Sequence, residues 1–305
     1  TFICFPFLPK HTELGKTVQQ TSMWDDLRTI AISRLMLDNI TNIKAYWVML
    51  TVPVAQIALG FGANDIDGTI HKETILHDAG ASSPTALSED NIIKIIREAG
   101  RIPAACDCNF NILRACAEEG LDRRFLQIKG DIMTKELILQ AREKANAGLR
   151  LNLQEALALY EDNDLLFLAD CARRMKEKKS GRQVFYNVNK HINLTNICTS
   201  GCPLCAFQKK EGEPGGFVLE ETDIAKILEE AKATRNLGEI HIVSALHPDK
   251  PFEYYLNVVK QVRQALPQVD IKAFTPVEIV HFSQMTGKSI KEVLEILQKA
   301  GLSSL

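Results

Sequence analysis

Three segments in the second half of the chain alternate polar and apolar residues: residues 187–195, 239–247 and 270–278. This period of two is typical of a β-strand with one buried and one polar face. A single such strand would also fit an open sheet whose polar face meets solvent. Three in succession, each followed by a segment with helical spacing, favour a parallel β/α barrel in which the polar side chains line a central site. The helical segments are residues 221–233, 252–265 and 289–299.

The first half of the chain has a weaker pattern. Helical spacing predicts a helix over residues 25–39 and another over residues 88–99, with Ser88 as the N-cap and Gly100 as the stop. Three short apolar runs show no clear period. Residues 2–7, which look strand-like, precede the first predicted helix, and residues 45–50 and 56–61 lie between the two predicted helices.

A charge-rich stretch, residues 114–132, separates two regions. We interpret it as a junction between residues 1–113 and residues 133–305. The second region opens with two predicted polar helices, over residues 134–148 and 152–178. The sequence thus predicts two parts of an α/β fold on either side of a linker.

Composition narrows the class of protein. With 46% hydrophobic and 24% charged residues, the chain is globular in character, and 36 basic against 38 acidic residues give a net charge of −2. A net charge so close to zero gives no indication of a nucleic-acid partner. No apolar run approaches the about 18 residues of a membrane helix, and no secretory signal opens the chain, so we expect a cytoplasmic protein with no membrane partner. In a reducing compartment the eight cysteines are expected to be thiols or metal ligands.

Residues 196–207 read Asn-Ile-Cys-Thr-Ser-Gly-Cys-Pro-Leu-Cys-Ala-Phe, which places Cys198, Cys202 and Cys205 in a C-x3-C-x2-C loop after a strand. Three thiolates from one loop can bind three irons of a 4Fe–4S cluster and leave the fourth iron open to a chelating substrate. Structural zinc would need a second pair of ligands, and none follows at useful distance. Unrelated buried thiols are the other alternative. The spacing favours an iron–sulfur site.

The C-x3-C-x2-C loop is the signature of radical S-adenosylmethionine (SAM) enzymes, and its flanks narrow the resemblance. The segments His191-Ile-Asn-Leu-Thr-Asn-Ile-Cys198 and Cys205-Ala-Phe207 resemble the branch that contains the menaquinone enzymes of the futalosine pathway and the deazaflavin synthases. The cyclic dehypoxanthinylfutalosine synthases of this branch usually carry Ser-Trp where this chain has Tyr46-Trp47. The segments most similar to aminofutalosine synthases are residues 34–39, 44–47, 62–69, 239–248, 251–255 and 272–279.

The resemblance implies a fold and two cofactors. The fold is the radical SAM (β/α) barrel of the TIM type. The cofactors are a 4Fe–4S cluster on the three cysteines and SAM, whose ribose would contact the region of Thr275 and Glu278. Ser244 and Ala245 stand where the family usually has Gly-Gly, a pair that lets the backbone approach the methionine end of SAM.

The resemblance also implies an activity and its partners. In the aminofutalosine synthases, the 5′-deoxyadenosyl group of SAM is added to 3-[(1-carboxyvinyl)oxy]benzoate in menaquinone biosynthesis. A low-potential electron donor of the flavodoxin or ferredoxin type is then expected. The resemblance assigns no catalytic side chain. The alternatives are a sister radical SAM enzyme, either a cyclic dehypoxanthinylfutalosine synthase or a deazaflavin synthase, and an inactive fragment that binds only a cluster.

The matching segments stand in a different order from that of the family. Residues 1–113 match the late part of the barrel, strands six to eight by analogy, whereas residues 133–305 match the early part, strands one to three. We therefore expect a permuted, incomplete barrel with about six of the eight strands. An open barrel, a second chain in the gap and an inactive rearranged fragment remain alternatives.

Several further polar or aromatic residues have two interpretations each. Glu278 would either contact the ribose of SAM or be a carboxylate satisfied by a basic partner. The histidines would either contact the substrate or be buried structural groups. The aromatic pair would either stack on an aromatic substrate or be buried in the core. The asparagines would either line the floor near the cluster or brace its loop, and the Gly-Asn-Asp run would form either a polar lip or a turn. The residues concerned are Tyr46, Trp47, Gly60, Gly62, Asn64, Asp65, Asp67, Gly68, Asn189, Asn193, Asn196, His241 and His247; Cys106 and Cys108 are expected to be passive thiols.

Overall fold

A computed structural model of the chain describes residues 1–70, 75–115, 135–162 and 164–305. The predicted junction falls outside these ranges apart from its first two residues, which belong to a strand. Short, mostly parallel strands alternate with helices over the described residues. The strands are β1 (Phe2–Ile3), β2 (Ile43–Lys44), β3 (Ile102–Cys106), β4 (Ile112–Ala115), β5 (Gln183–Tyr186), β6 (Asn189–Asn193), β7 (Glu239–Val243) and β8 (Asp270–Ala273).

The strands form three small sheets. β1 pairs in parallel with β2; β3 pairs in parallel with β5 and antiparallel with β4; β6, β7 and β8 are parallel in that order. Single bridges continue the pairing, because Asp65 is bridged both to Lys44 in β2 and to Phe185 in β5. On the far side of β8, Ser304 is bridged to Lys272. Neighbouring segments therefore follow one another from β1 through β2 and Asp65 to β5.

The helices of the described residues are mostly short. A 3₁₀ turn at Leu14–Lys16 precedes the first of them. Ser88 caps its helix as predicted, and Ser289 caps another through a capping box with Glu292. None of the described helices is long and apolar enough to cross a bilayer. The helices are α1 (Met23–Met36), α2 (Trp47–Leu50), α3 (Val52–Ala58), α4 (Ile75–Asp78), α5 (Glu89–Glu98), α6 (Lys135–Ala147), α7 (Leu153–Glu161), α8 (Leu165–Ser180), α9 (Glu221–Lys232), α10 (Phe252–Ala265), α11 (Pro276–Thr286) and α12 (Ile290–Ala300).

Two large hydrophobic cores and a small third cluster around Phe185 hold the described residues together. One lies between residues 27 and 188 and includes the fully buried Trp47. The other lies between residues 192 and 297 and joins the apolar side chains of β6–β8 to α9–α12. In this second core, Ile242 and Ile271 are fully buried beside Phe282. The apolar face of the three-stranded sheet therefore meets helices, and its other face, here called the polar face, carries the alternating polar residues.

Several predicted boundaries were wrong. β7 ends at Val243 rather than His247, and β8 ends at Ala273 rather than Glu278. Glu278 lies in the first turn of α11, because Pro276 starts that helix and Thr275 forms a capping box with Glu278. Proline cannot donate a ladder hydrogen bond, so the strand cannot continue through this position.

Other differences lie in the first half and the middle of the chain. The strand-like run over residues 2–7 forms strand only at Phe2–Ile3, and the apolar runs over 45–50 and 56–61 lie largely in α2 and α3. The single helix predicted over 152–178 is two helices, since the side chain of Asp164 accepts a hydrogen bond from the N–H of Phe167 and caps α8 anew.

Candidate functional site

The cysteine loop follows β6 and is closed by backbone hydrogen bonds. The N–H of Cys198 donates to the carbonyl of Lys209 (3.0 Å), and the N–H of Lys209 donates to the carbonyl of Asn196 (2.8 Å). The buried side chain of Asn196 donates to the carbonyl of Gly215 (2.9 Å) and accepts from the N–H of Phe217 (2.8 Å). Asn196 therefore braces the cysteine loop, which is one of the two roles predicted for it.

Ser200 contacts two of the three sulfurs. Its N–H donates to Cys198 Sγ (3.4 Å), and its hydroxyl lies 3.1 Å from Cys202 Sγ. The N–H of Cys205 donates to the carbonyl of Cys202 (3.1 Å). Cys202 is exposed, the other two are partly exposed, and all three are free thiols.

The donor set suits a cluster better than a single ion. In the described part of the chain, no group of three Cys, His, Asp or Glu side chains could hold one metal ion. In an iron–sulfur cluster, however, each thiolate binds its own iron, so the three sulfurs need not converge on one point. Three accessible thiols in one braced loop fit this requirement.

The loop after β7 lies against the cysteine loop. The carbonyl of Leu246 accepts hydrogen bonds from the N–H (3.0 Å) and the hydroxyl (3.2 Å) of Thr199, the residue after Cys198. The N–H of Ala245 donates to the carbonyl of Thr195 (3.2 Å). Ser244 and Ala245, predicted to contact SAM, are therefore neighbours of the cysteine loop.

Glu278 connects the loop after β7 to the start of α11. Its carboxylate accepts from the N–H of Ser244 (3.1 Å), the N–H of Thr275 (2.7 Å) and the hydroxyl of Thr275 (2.8 Å). Glu278 is 3% exposed, and burial raises its pKa to about 7 although these hydrogen bonds act to lower it. The structure thus brings Ser244, Thr275 and Glu278 together at the ends of β7 and β8.

The polar face of the β6–β8 sheet carries a row of three basic side chains. The parallel register aligns His191 with His241 and His241 with Lys272. The two imidazole rings lie edge to face, with centroids 4.6 Å apart. Burial lowers the pKa of His191 to about 4 and that of His241 well below its ordinary value, so both rings are neutral near pH 7. Asn189 and Glu239 form the preceding row.

A buried ion-pair group lies beside this face. Lys44 Nζ is 2.5 Å from Asp67 Oδ1 and 3.4 Å from Asp65 Oδ2. Burial acts to lower the pKa of Lys44, but the two carboxylates outweigh it and raise that pKa, so the lysine is charged. The hydroxyl of Thr69 donates to the carbonyl of Asn189 (3.1 Å), which joins this group to the polar face.

Other predicted candidates form hydrogen bonds within the protein. Asn64 is fully buried and accepts hydrogen bonds from Arg34 (2.6 Å) and from the N–H of Ile43 (2.9 Å). Trp47 is fully buried, and its indole N–H donates to the carbonyl of Gly68 (3.0 Å). His247 accepts from the N–H of Asp249 through Nδ1 (3.1 Å).

Comparison with known proteins finds similarity to enzymes of the predicted family over parts of the chain. Residues 1–118 match the family model described as CofH/MqnC C-terminal region. Aminodeoxyfutalosine synthase of Streptomyces coelicolor is 40% identical over 166 residues, which is 54% of this chain and 43% of that protein. The Thermus thermophilus enzyme of the same name is 34% identical over 168 residues, 55% of this chain and 45% of its own length. The resemblance predicted from the sequence is confirmed.

The names of the similar proteins indicate more than one activity. A 5-amino-6-(D-ribitylamino)uracil–L-tyrosine 4-hydroxyphenyl transferase of Methanoculleus marisnigri is 35% identical over 161 residues, 52% of this chain and 44% of that protein. The chain spans about half the length of the curated relatives it matches. The match to a C-terminal region falls on the first 118 residues of the chain.

Sequence reasoning missed two residues that the structure places beside the site. Lys44 and Lys272 were not among the predicted site residues, although Lys272 belongs to the polar set of the segment 270–278. Lys272 alternates with the apolar residues Ile271 and Ala273, a pattern that already predicts a cation on the polar face. For Lys44 the signal was weaker, because β2 is only two residues long.

Proposed function

We propose that this chain belongs to a radical SAM enzyme that adds the 5′-deoxyadenosyl group of SAM to 3-[(1-carboxyvinyl)oxy]benzoate, as aminofutalosine synthases do. The observation that carries the proposal is the contact between the cysteine loop and the loop after β7, through Thr199 and Leu246. It supports the proposal because the loop that carries the three cysteines lies beside the residues expected to hold SAM. The 40% identity to an aminodeoxyfutalosine synthase favours this activity within the family.

The chain's own residues would bind and orient the reactants. When bound, a 4Fe–4S cluster and SAM supply one-electron cleavage of the sulfonium. Cys198, Cys202 and Cys205 would hold the cluster. The small side chains of Ser244 and Ala245 leave room for the methionine end of SAM at the backbone. Because the Glu278 carboxylate fixes the N–H of Ser244, it would hold that strand end in place for the cofactor.

For the fold, we propose the permuted, incomplete barrel of the TIM type. Residues 1–113 would supply β1, β2 and the Asp65 segment, and residues 133–305 would supply β5–β6, β7 and β8. The bridges from β2 through Asp65 to β5 support this spatial order. The parallel pairing of β6, β7 and β8, with helices against their apolar face, also supports it.

Anaerobic reconstitution with iron and sulfide tests the proposal. The protein is then reduced with dithionite in the presence of SAM, and 5′-deoxyadenosine is measured by chromatography with and without the enol-ether benzoate. We expect an adenine-containing adduct only in the tube with the benzoate. A cluster spectrum with neither cleavage nor adduct would refute the activity. In a further tube with L-tyrosine and 5-amino-6-(D-ribitylamino)uracil, a uracil product that carries the 4-hydroxyphenyl group, with no adenine adduct in the benzoate tube, would favour the transferase activity instead.

Cysteine variants separate the cluster from the other thiols. Cys198→Ser, Cys202→Ser and Cys205→Ser are each expected to lose the iron–sulfur absorbance and iron content. Cys4→Ser is the matched control, since Cys4 is also a partly buried free thiol but contacts Ser33 on α1. Equal iron content in the control and in all three loop variants would contradict the assignment of the cluster.

A further inference from the structure

Lys272 is a lysine of the polar face that has no ion-pair partner in the described part of the chain. Its flanking residues Ile271 and Ala273 are fully buried in the core with the helices, so the Lys272 side chain is on the opposite face. There it follows His191 and His241 in one row. Within the described part of the chain, no salt bridge involves Lys272.

The other charged side chains near this row have contacts of their own. The second lysine of the site, Lys44, is paired with Asp65 and Asp67. Of the two carboxyls in the preceding row, Asp270 accepts a hydrogen bond from the N–H of Cys108 (3.3 Å). Glu239 is 4% exposed, and burial raises its pKa, whereas Lys272 and Lys44 act to lower it. In the described part of the chain, neither of these two carboxyls forms an ion pair with Lys272.

A polar atom without a partner lies in the same row. The Nε2 atom of His191 is buried and has no hydrogen-bond partner in the structure, and the same is true of Oδ1 of Asn187, which lies between β5 and β6. A buried polar atom left unpaired is unfavourable, so a ligand that bonds to it recovers free energy on binding. Although His241 lies between them in the row, a neutral imidazole at His191 and the ammonium group of Lys272 can both donate to one carboxylate-bearing ligand.

We propose that Lys272 binds the carboxylate of an aromatic carboxylic acid, with His191, two strands away in the same row, as a second hydrogen-bond partner of that ligand. This inference rests on the proposed function and names the residue that would receive the benzoate end of its substrate. Lys272 lies in β8, before the strand end at which Thr275 and Glu278 are located. The benzoate end would thus lie deeper along the strand, and the vinyl end would face the cofactor side.

Binding of single-carboxylate probes tests the inference. The reconstituted full chain with SAM is titrated calorimetrically with 3-methoxybenzoate and with the neutral 3-methoxybenzamide. We expect the wild type to prefer the benzoate, and Lys272→Met to weaken benzoate binding by about tenfold or more, the loss typical of a charge-assisted hydrogen bond. Lys272→Met should bind the amide as the wild type does, and Lys272→Arg should keep most of the benzoate affinity.

Lys226→Met is the matched control, because it removes one positive charge from the exposed surface of α9. It is expected to bind both probes like the wild type. Unchanged benzoate affinity in Lys272→Met would overturn the inference, as would a wild type that binds the amide as tightly as the benzoate. The second comparison needs no variant, so it holds even where Lys272→Met does not fold.

The two proposals fail separately. If the wild type forms the adenine adduct while Lys272→Met binds 3-methoxybenzoate normally, the proposed reaction stands and the assignment of Lys272 is wrong. If the wild type binds the benzoate through Lys272 but forms no adduct, the binding site stands and the reaction is wrong. A wild type that binds neither probe overturns the inference for this chain.

Discussion

Glu278→Gln should change how the stability of the protein depends on pH. The Glu278 carboxyl is buried, and its pKa is raised from an ordinary value of 4.5 to about 7. A carboxyl with a higher pKa in the folded state binds more protons folded than unfolded between the two values. The stabilisation is therefore fully present below pH 4.5 and is lost as the pH rises through 7.

The size of the effect follows from the shift. A change of pKa from 4.5 to about 7 corresponds to about 3 kcal/mol of unfolding free energy. Glutamine carries no charge at any of these pH values and occupies nearly the same volume. Relative to the wild type, Glu278→Gln should therefore gain about 2.5 kcal/mol between pH 5 and pH 8, whatever its constant offset from altered hydrogen bonds.

Urea unfolding at pH 5, 6, 7 and 8 measures this difference. Glu292→Gln is the matched control, because Glu292 makes the same capping-box hydrogen bonds with Ser289 at the start of α12 but is exposed. Those hydrogen bonds lower the pKa of Glu292, so its contribution is lost only as the pH falls below 4.5. The control difference should be flat from pH 5 to pH 8.

A flat difference for Glu278→Gln over the same range would refute the reasoning. It would mean that the hydrogen bonds from Ser244 and Thr275 compensate the burial of the carboxylate completely. Glu278 would then be ionised throughout, and its position beside the cofactor residues would be that of a permanent negative charge.

Two further substitutions test the packing around the site. Asp67→Asn should lower the unfolding free energy by about 3 kcal/mol, because it removes the nearer partner of the buried Lys44; no loss in a urea titration would show that Asp65 alone suffices. Phe282→Ala should lower it by about 4 kcal/mol, because its fully buried ring packs against Tyr255 and Phe274. Val280→Ala, at an exposed position of the same helix, should stay within about 0.5 kcal/mol of the wild type, and equal losses for the two would contradict the assigned core.

The sequence predicts the three parallel strands β6, β7 and β8, because polar and apolar residues alternate in them, but it does not predict β3 and β5. β6, β7 and β8 all lie inside the predicted segments, and Ser88 caps its helix as predicted. Strand ends are harder, because β8 stops for a local reason. Thr275, Pro276 and Glu278 favour a helix start more strongly than the alternation favours a longer strand.

The site was predictable only where its residues are close in sequence. The three cysteines share one loop, so their spacing alone indicates a cluster. The bond between Ser244 and Glu278 joins residues 34 positions apart, and that between Thr69 and Asn189 joins residues 120 positions apart. Contacts of this range depend on strand order, which no local pattern encodes. The pairing of Lys44 with Asp65 and Asp67 likewise depends on which segments become neighbours.

The two hydrophobic cores give the chain an expected order of folding. The core of residues 192–297 forms from strands and helices that follow one another closely, so little chain entropy is lost in closing each unit. Joining Asp65 to Phe185, in contrast, closes a loop of more than a hundred residues, whose entropy must be lost before the contacts form. The cysteine-bearing half should therefore collapse early, and the docking of the first half onto it should set the overall rate at which the native protein appears.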